Sequence, residues 1–190
     1  MKKTDHLALA AKLINALGCT SRRNGLAFML GSVEPDINVF SYLRGWKCGR
    51  RMHGHDAGNC AKHLSTLILR LQQRRIDSFW SWFLLGTLMH YLADSFTAVH
   101  NSFMAVPVAE HLEYENRLHT ALMAQLEKDL PLTPLPYSPI CLMKRCHDEY
   151  SRMEHCTEVD ARTIVSICST VFLALTADEE ALGRALFVAV

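Results

Sequence analysis

Two residue pairs with helical spacing hold the chemistry of this chain: His90 with Asp94, and His111 with Glu115. Each is spaced i, i+4, so on a helix each pair projects from one face. His100 lies between them in sequence. Imidazole and carboxylate presented in this way form the donor set with which helical bundles hold metal in their cores. With no thiolate among them they suit zinc, and also admit manganese or iron. The run from Phe79 to Met89 that leads into "HYLADSFTAVH" is almost wholly apolar. A carboxylate taken out of water there is costly unless it is paired or metal-bound, so Asp94 needs cations around it. One His–acid pair is ordinarily a solvated helix pair worth a few tenths of a kcal/mol. Two such pairs with a third histidine between them point to a metal.

The elements that must present these side chains read as helices throughout. Helical periodicity recurs and strand alternation does not, which predicts an all-α, compact multi-helix bundle. Helices are expected near residues 5–17, 22–31, 56–74, 78–97, 107–129, 140–154, 158–176 and 178–188. Leu7, Ala10, Ala11, Ile14 and Leu17 fall on one face of the first. Ser78 and Thr157 are the expected N-caps, and "TEVD" from Thr157 has the pattern of a capping box. The proline-rich "PLTPLPYSP" is a loop. A longer connection from about Ser32 to Gly54 contains Pro35, Gly45 and Gly49, and connections of that length are usually functional or disordered.

Composition bounds the function. At 190 residues, 49% hydrophobic and 21% charged, the chain is expected to form one domain, residues 1–190, with a sizeable core. A net charge of +1 gives no strong nucleic-acid signal. Seven cysteines without framework spacing read as reduced thiols. Cys141, Cys146 and His147 lack the CxxC pairing of a zinc knuckle. "MKK" opens like a signal peptide, but Asp5, His6, Lys12 and Asn15 interrupt any apolar h-region. No run reaches the eighteen or so uninterrupted apolar residues of a transmembrane segment. A cytoplasmic location is therefore expected.

At these residues the sequence resembles a known family. "GTLMHYLADSFTAVH" followed by "EHLEYE" is similar to the ligand core of the zinc-dependent phospholipase C superfamily, which includes the single-strand-specific zinc nucleases. Its pattern is His-x3-Asp, then His, then His-x3-Glu or His-x3-Asp. Upstream, "GSVEPDI" resembles the family's Pro-Asp turn, "RMHGHDAGN" the segment giving the next histidine, and "TDHLALAAKLI" the helix bearing the first. The resemblance implies three zinc ions in a cleft. Asp36, His55, His90 and Asp94 would hold one ion, and His100, His111 and Glu115 a second. His6 and a bridging Asp94 would hold the third. Secreted members complete that site with an N-terminal tryptophan. Here Met1 lies five residues before His6, close enough for its amine to reach. His53 and His55 compete for one role, and "GHDAGN" favours His55.

The implied reaction is phosphoric ester hydrolysis by zinc-activated water, with Asp36, expected on a turn, orienting or deprotonating that water. The substrate would be a phosphate-ester small molecule or a phospholipid head group. Arg44, Lys47, Arg50 and Arg51 surround Trp46 in the long connection, as a phosphate clamp or as a solvated basic loop. His63, His119, His147 and His155 read as surface or hydrogen-bonded residues. Two rivals stand beside this reading. "HD" at His55-Asp56 resembles the HD-type metal phosphohydrolases, in which Asp56 would be a ligand and Glu115 idle. The other is a non-catalytic, metal-stabilised helical protein whose "RGWKCGRR" makes a peripheral contact with a membrane or partner.

Overall fold

Seven α-helices and two short 3-10 turns build the structure, a computed structural model that describes residues 1–18, 20–45, 53–104, 107–131 and 138–177. No strand occurs among the described residues. The helices are α1 (Lys3–Leu17), α2 (Arg22–Ile37), α3 (Ala57–Gln72), α4 (Phe79–Ser95), α5 (Val108–Leu126), α6 (Pro139–Tyr150) and α7 (Thr157–Thr176). The 3-10 turns are Val39–Leu43, after α2, and Ala98–His100, after α4. The all-helical reading of the sequence holds. The expected helix at 178–188, together with Trp46, Lys47, Arg50 and Arg51, lies outside the described residues.

Helix α4 is the axis. Every residue from Leu85 to Ser95 is buried, the pattern of a helix enclosed on all sides. Ser78 caps its start, accepting from the Ser81 N–H at 3.1 Å. Helices α2, α3 and α7 pack directly around it. The closest of these contacts is with α2, and two glycines permit it. A Cβ on Gly86 would meet the Phe28 carbonyl oxygen and the Ser32 nitrogen, and one on Gly31 would meet the Phe83 carbonyl. Backbone therefore lies on backbone, and Ser32 comes within reach of His90.

This contact corrects the expected end of α2. The helix runs to Ile37, through Pro35, and not to residue 31. Pro35 is buried one turn beyond Phe28, Gly31 and Ser32, so the α2 face that packs on α4 gains more from continuing than an interior proline costs. Asp36 thus stands on the last turn of a helix instead of a loop.

Two other local expectations shift. On α1 the buried face is His6, Leu9, Ala10 and Leu13, a rotation that carries His6 inward. At α7 the cap is Cys156, one residue earlier than expected. Asp160, which a capping box would turn back toward Thr157, is drawn instead into the core by two tyrosines. Helix α7 is long and apolar enough to cross a membrane by length and composition alone. Here it packs on α4 and α5, burying Ile164, Val165, Cys168, Val171 and Phe172.

Gly86→Ala should destabilise the fold by about 2–3 kcal/mol, because neither backbone can yield to the new methyl. Gly58→Ala, whose Cβ would enter open space, should be neutral or slightly stabilising. Urea unfolding of both variants checks the pair, and equal midpoints would contradict the backbone contact.

Candidate metal centre

The central helix delivers His90 and Asp94 to one buried face, at 0% and 1% exposure. Each oxygen of Asp94 has its own set of neighbours. Its Oδ2 lies 3.1 Å from His55 Nδ1 and 3.3 Å from His90 Nε2. Its Oδ1 lies 3.1 Å from the Met1 amine, 3.3 Å from His6 Nε2 and 4.0 Å from His100 Nε2. Asp36 Oδ1 completes the first set, 3.7 Å from His55 Nδ1 and 3.8 Å from His90 Nε2. On the far side His111 Nε2 and Glu115 Oε1 are 3.5 Å apart, one turn apart on α5.

Three groups of potential ligand atoms result: Asp36, His55 and His90; His6, His90 and Asp94; and His100, His111 and Glu115. Within each group the atoms lie within 4.8 Å of one another. All eight histidines and carboxylates singled out in the sequence are thus brought together, from α1, α2, α4, α5, the segment before α3 and the 3-10 turn after α4. His53 faces Asp56 at 3.3 Å, with 43% of its side chain exposed, whereas His55 is buried. Arg44 donates from Nε to the Tyr91 hydroxyl at 3.0 Å, its guanidinium over that ring.

Hydrogen bonds behind the histidines fix which nitrogens face inward. The Ser32 carbonyl, 2.9 Å from His90 Nδ1, can only accept, so Nε2 keeps its lone pair. Ser41 Oγ donates to the Pro35 carbonyl at 2.5 Å. Its hydroxyl proton being committed, it accepts from His55 Nε2 at 3.1 Å, and Nδ1 of His55 is bare. These two bare nitrogens face each other at 3.2 Å. Ring stacking with Tyr42 holds His55, and stacking with His90 holds His6.

Charge states fit the same purpose. Burial, then the neighbouring His90, pushes His6 down to about 3, so it is neutral at pH 7. Burial likewise lowers His100. Burial would raise Asp94, but the Met1 amine, His100, His6 and His90 outweigh it and hold the carboxyl well below its usual range. Glu115, also against burial, is drawn down to about 2 by its bond to His111 and by the Met1 amine. Burial pushes the Asp36 carboxyl up. Desolvation disfavours the charge on the Met1 amine, yet Asp94 and Glu115 raise its pKa above the ordinary 8.0.

These residues fit a metal. Divalent cations take neutral imidazoles and ionised carboxylates, and burial favours the neutral form of His6 and His100 while Asp94 and Glu115 are held ionised. His6 Nε2 is a buried nitrogen without a hydrogen bond, and the bare nitrogens of His55 and His90 repel unless something positive lies between them and the carboxylates. The Met1 ammonium makes contacts of the kind a bound cation would make: Asp94 at 3.1 Å, His100 at 3.3 Å and Glu115 at 3.4 Å.

A supporting cluster escaped the sequence reading. Asp160 of α7 is fully buried and accepts from the hydroxyls of Tyr114 and Tyr150, the latter at 2.7 Å. It also accepts from the Ala98 N–H at 3.3 Å. One carboxylate therefore ties together α5, α6, α7 and the turn that presents His100. Its partner Tyr114 directly precedes Glu115 in sequence, but nothing in the spacing of Tyr114, Tyr150 and Asp160 marks them as partners. Asp5, also fully buried, lies 2.5 Å from His119 Nδ1 and holds α1 to α5. His147 meets Asn101 at 2.9 Å, and His155 stacks on Phe103. Among the described residues, Cys141 and Cys146 belong to no candidate metal group and all five cysteines are free.

An all-helical fold with imidazole–carboxylate groups enclosed in its core is the arrangement of a helical protein able to hold metal. The family model described as "Zinc dependent phospholipase C" matches residues 5–180, and the chain belongs to that family. No curated protein and no solved structure matches it.

Asp160→Ala should destabilise the fold by about 3–5 kcal/mol, since it leaves two buried tyrosine hydroxyls and one buried amide without their acceptor. Chemical denaturation measures this directly, and a loss under about 1 kcal/mol would show that the cluster contributes little.

Proposed function

We propose that the protein is a zinc-dependent hydrolase of phosphoric esters, resembling phospholipase C, with up to three ions in one cleft. The single observation that carries this reading is the division of Asp94, whose two oxygens face different groups of imidazoles. Asp36, His55, His90 and Asp94 would hold one ion. His100, His111 and Glu115 would hold another, and His6 with Asp94 a third, with the Met1 amine beside them. Family membership supports zinc as the metal.

Zinc, when bound, supplies an activated water at neutral pH and neutralises charge on the phosphoryl oxygens. The chain's own groups do the rest. Asp36 is a partly buried carboxylate of the cluster and, unlike Glu115, is raised by burial, which suits a group that orients a water and takes its proton. Ser41 and Ser32 fix the tautomers of His55 and His90, so the ligand set is organised before substrate arrives. Arg44, near the approach to His55, is the described member of the cationic segment suited to a substrate phosphate. The substrate is a phospholipid head group or a smaller phosphate ester.

The HD-type alternative is disfavoured by position. Asp56 belongs to none of the candidate groups. Its carboxylate is 3.3 Å from His53 and 3.9 Å from His100 Nδ1, behind that ring instead of among the ligands. Glu115, idle in that reading, stands in a group with His100 and His111.

Asp94→Asn should release at least one ion and lower hydrolysis of bis(p-nitrophenyl) phosphate by at least about 100-fold. Asp56→Asn should keep full stoichiometry at saturating zinc. Elemental analysis beside activity decides, and full occupancy in Asp94→Asn would overturn the bridging role. Chelation should lower the melting temperature by at least about 5 °C, because metal binds the folded state alone. A melt unmoved after proven metal removal would count against a metal in this core.

A further inference from the structure

Helix α2 exposes Leu26, Leu30 and Ile37, at 58%, 45% and 65%. Arg23, Leu26, Leu30, Glu34 and Ile37 follow one another at steps of three or four residues, so all five share one face of the helix. Arg23 is exposed and Glu34 half-buried. The strip thus runs from a cation near its start, through two leucines, to a carboxylate near its end. Each end is extended by further apolar side chains. The turn after α2 adds Val39 and Phe40, the latter 79% exposed. At the other end stands Trp80 of α4, 67% exposed. The start of α2 is held to that region by the Arg23 guanidinium, 5.9 Å from the Phe79 ring centre, and by Asn24, which donates to the Asp77 carbonyl at 3.5 Å.

The two ends of the strip differ in charge. Arg22 and Arg23 open α2, and the exposed Asp77 offsets them only in part. At the other end Arg44 is turned to the Tyr91 hydroxyl, and Asp36 approaches His55 and His90. Glu34, whose bond partner Asn38 is neutral, therefore sets the charge there. An anionic bilayer would meet like charge at the Glu34 end. A second copy turned end for end meets opposite charge at both ends.

In a two-fold contact the same patch serves both subunits, and residues along a helix meet their counterparts in reverse order. An axis crossing the α2 face midway between Leu26 and Leu30 sets each of these against the other in the second copy. The same axis brings Arg23 of each copy to Glu34 of the other. It also carries Ile37 and Phe40 past the start of the facing α2, toward the Trp80 end. Leucines, ion pairs and apolar ends thus come into register about a single axis. We propose that the protein forms a two-fold dimer through the outward face of α2, with Leu26 and Leu30 at its centre and an Arg23–Glu34 pair on either side. The dimer is independent of the reaction proposed above.

The test is analytical ultracentrifugation of the full chain at rising concentration, where the parent should reach the mass of a dimer. Arg23→Glu and Glu34→Arg, each alone, set like charges against each other and should raise the dissociation constant of the dimer at least about tenfold. The double variant Arg23→Glu/Glu34→Arg restores opposite charges and should regain most of the parent's affinity, a recovery that no loss of folding could give. Leu26→Ser/Leu30→Ser should be monomeric with the helical circular dichroism of the parent. A parent that stays monomeric at every concentration would overturn the proposal, and its co-sedimentation with anionic vesicles would give this face to a bilayer instead. A dimer that the leucine variant leaves intact, or that the double charge variant fails to recover, would overturn it as well, because the contact would then lie elsewhere on the molecule.

Discussion

The carboxylate of Asp94, 1% exposed, is surrounded by four imidazoles and an amine. Burial by itself would neutralise such a group, and only nearby positive charge keeps it ionised. The architecture follows from meeting that requirement. Helix α1 brings His6 and the residues before it Met1, the segment before α3 brings His55, and α4 brings His90 from one turn away. Each must arrive with a nitrogen bare and aimed, which accounts for the polar contacts from Ser32 and Ser41 in an otherwise apolar surround.

The glycine contact between α2 and α4 serves the same end. With no side chains between them, the backbones approach until the Ser32 carbonyl reaches His90. The same approach carries α2 far enough to deliver Asp36. A site of this kind tolerates little slack, because a displaced carbonyl would free the His90 tautomer and a displaced Asp36 would leave the first group. On the opposite side Asp160 fixes the turn before His100, so the cluster is braced from both flanks.

The helical class and the His90–Glu115 half of the candidate site were legible in the sequence because they depend on local spacing, whereas His6 and Asp36 came only with the family resemblance. The i, i+4 pairs His90–Asp94 and His111–Glu115 declare a shared face without any tertiary information. The preference for His55 over His53 rested on the likeness of "GHDAGN" to the family's segment. The end of α2 was not, because Pro35 is a local stop signal overridden by burial against α4. The α7 cap failed for a related reason: Asp160 carries a capping pattern but is claimed by tyrosines 10 and 46 residues away. Partnerships made across such distances leave no periodic trace.

The ligand groups span His6 to Glu115, and the brace behind His100 comes from Asp160. No stretch that ends before the central helix holds a full group of this kind. During synthesis, while residues are added at about 5–20 per second, α1 and α2 emerge with histidine and carboxylate but without the central helix that completes them. Capture of a metal would therefore wait for α4, which completes the first two groups, and for α5, which completes the third. Those first two groups are complete while α4 still lacks its cover, because α7, which packs on it, is made about sixty residues later.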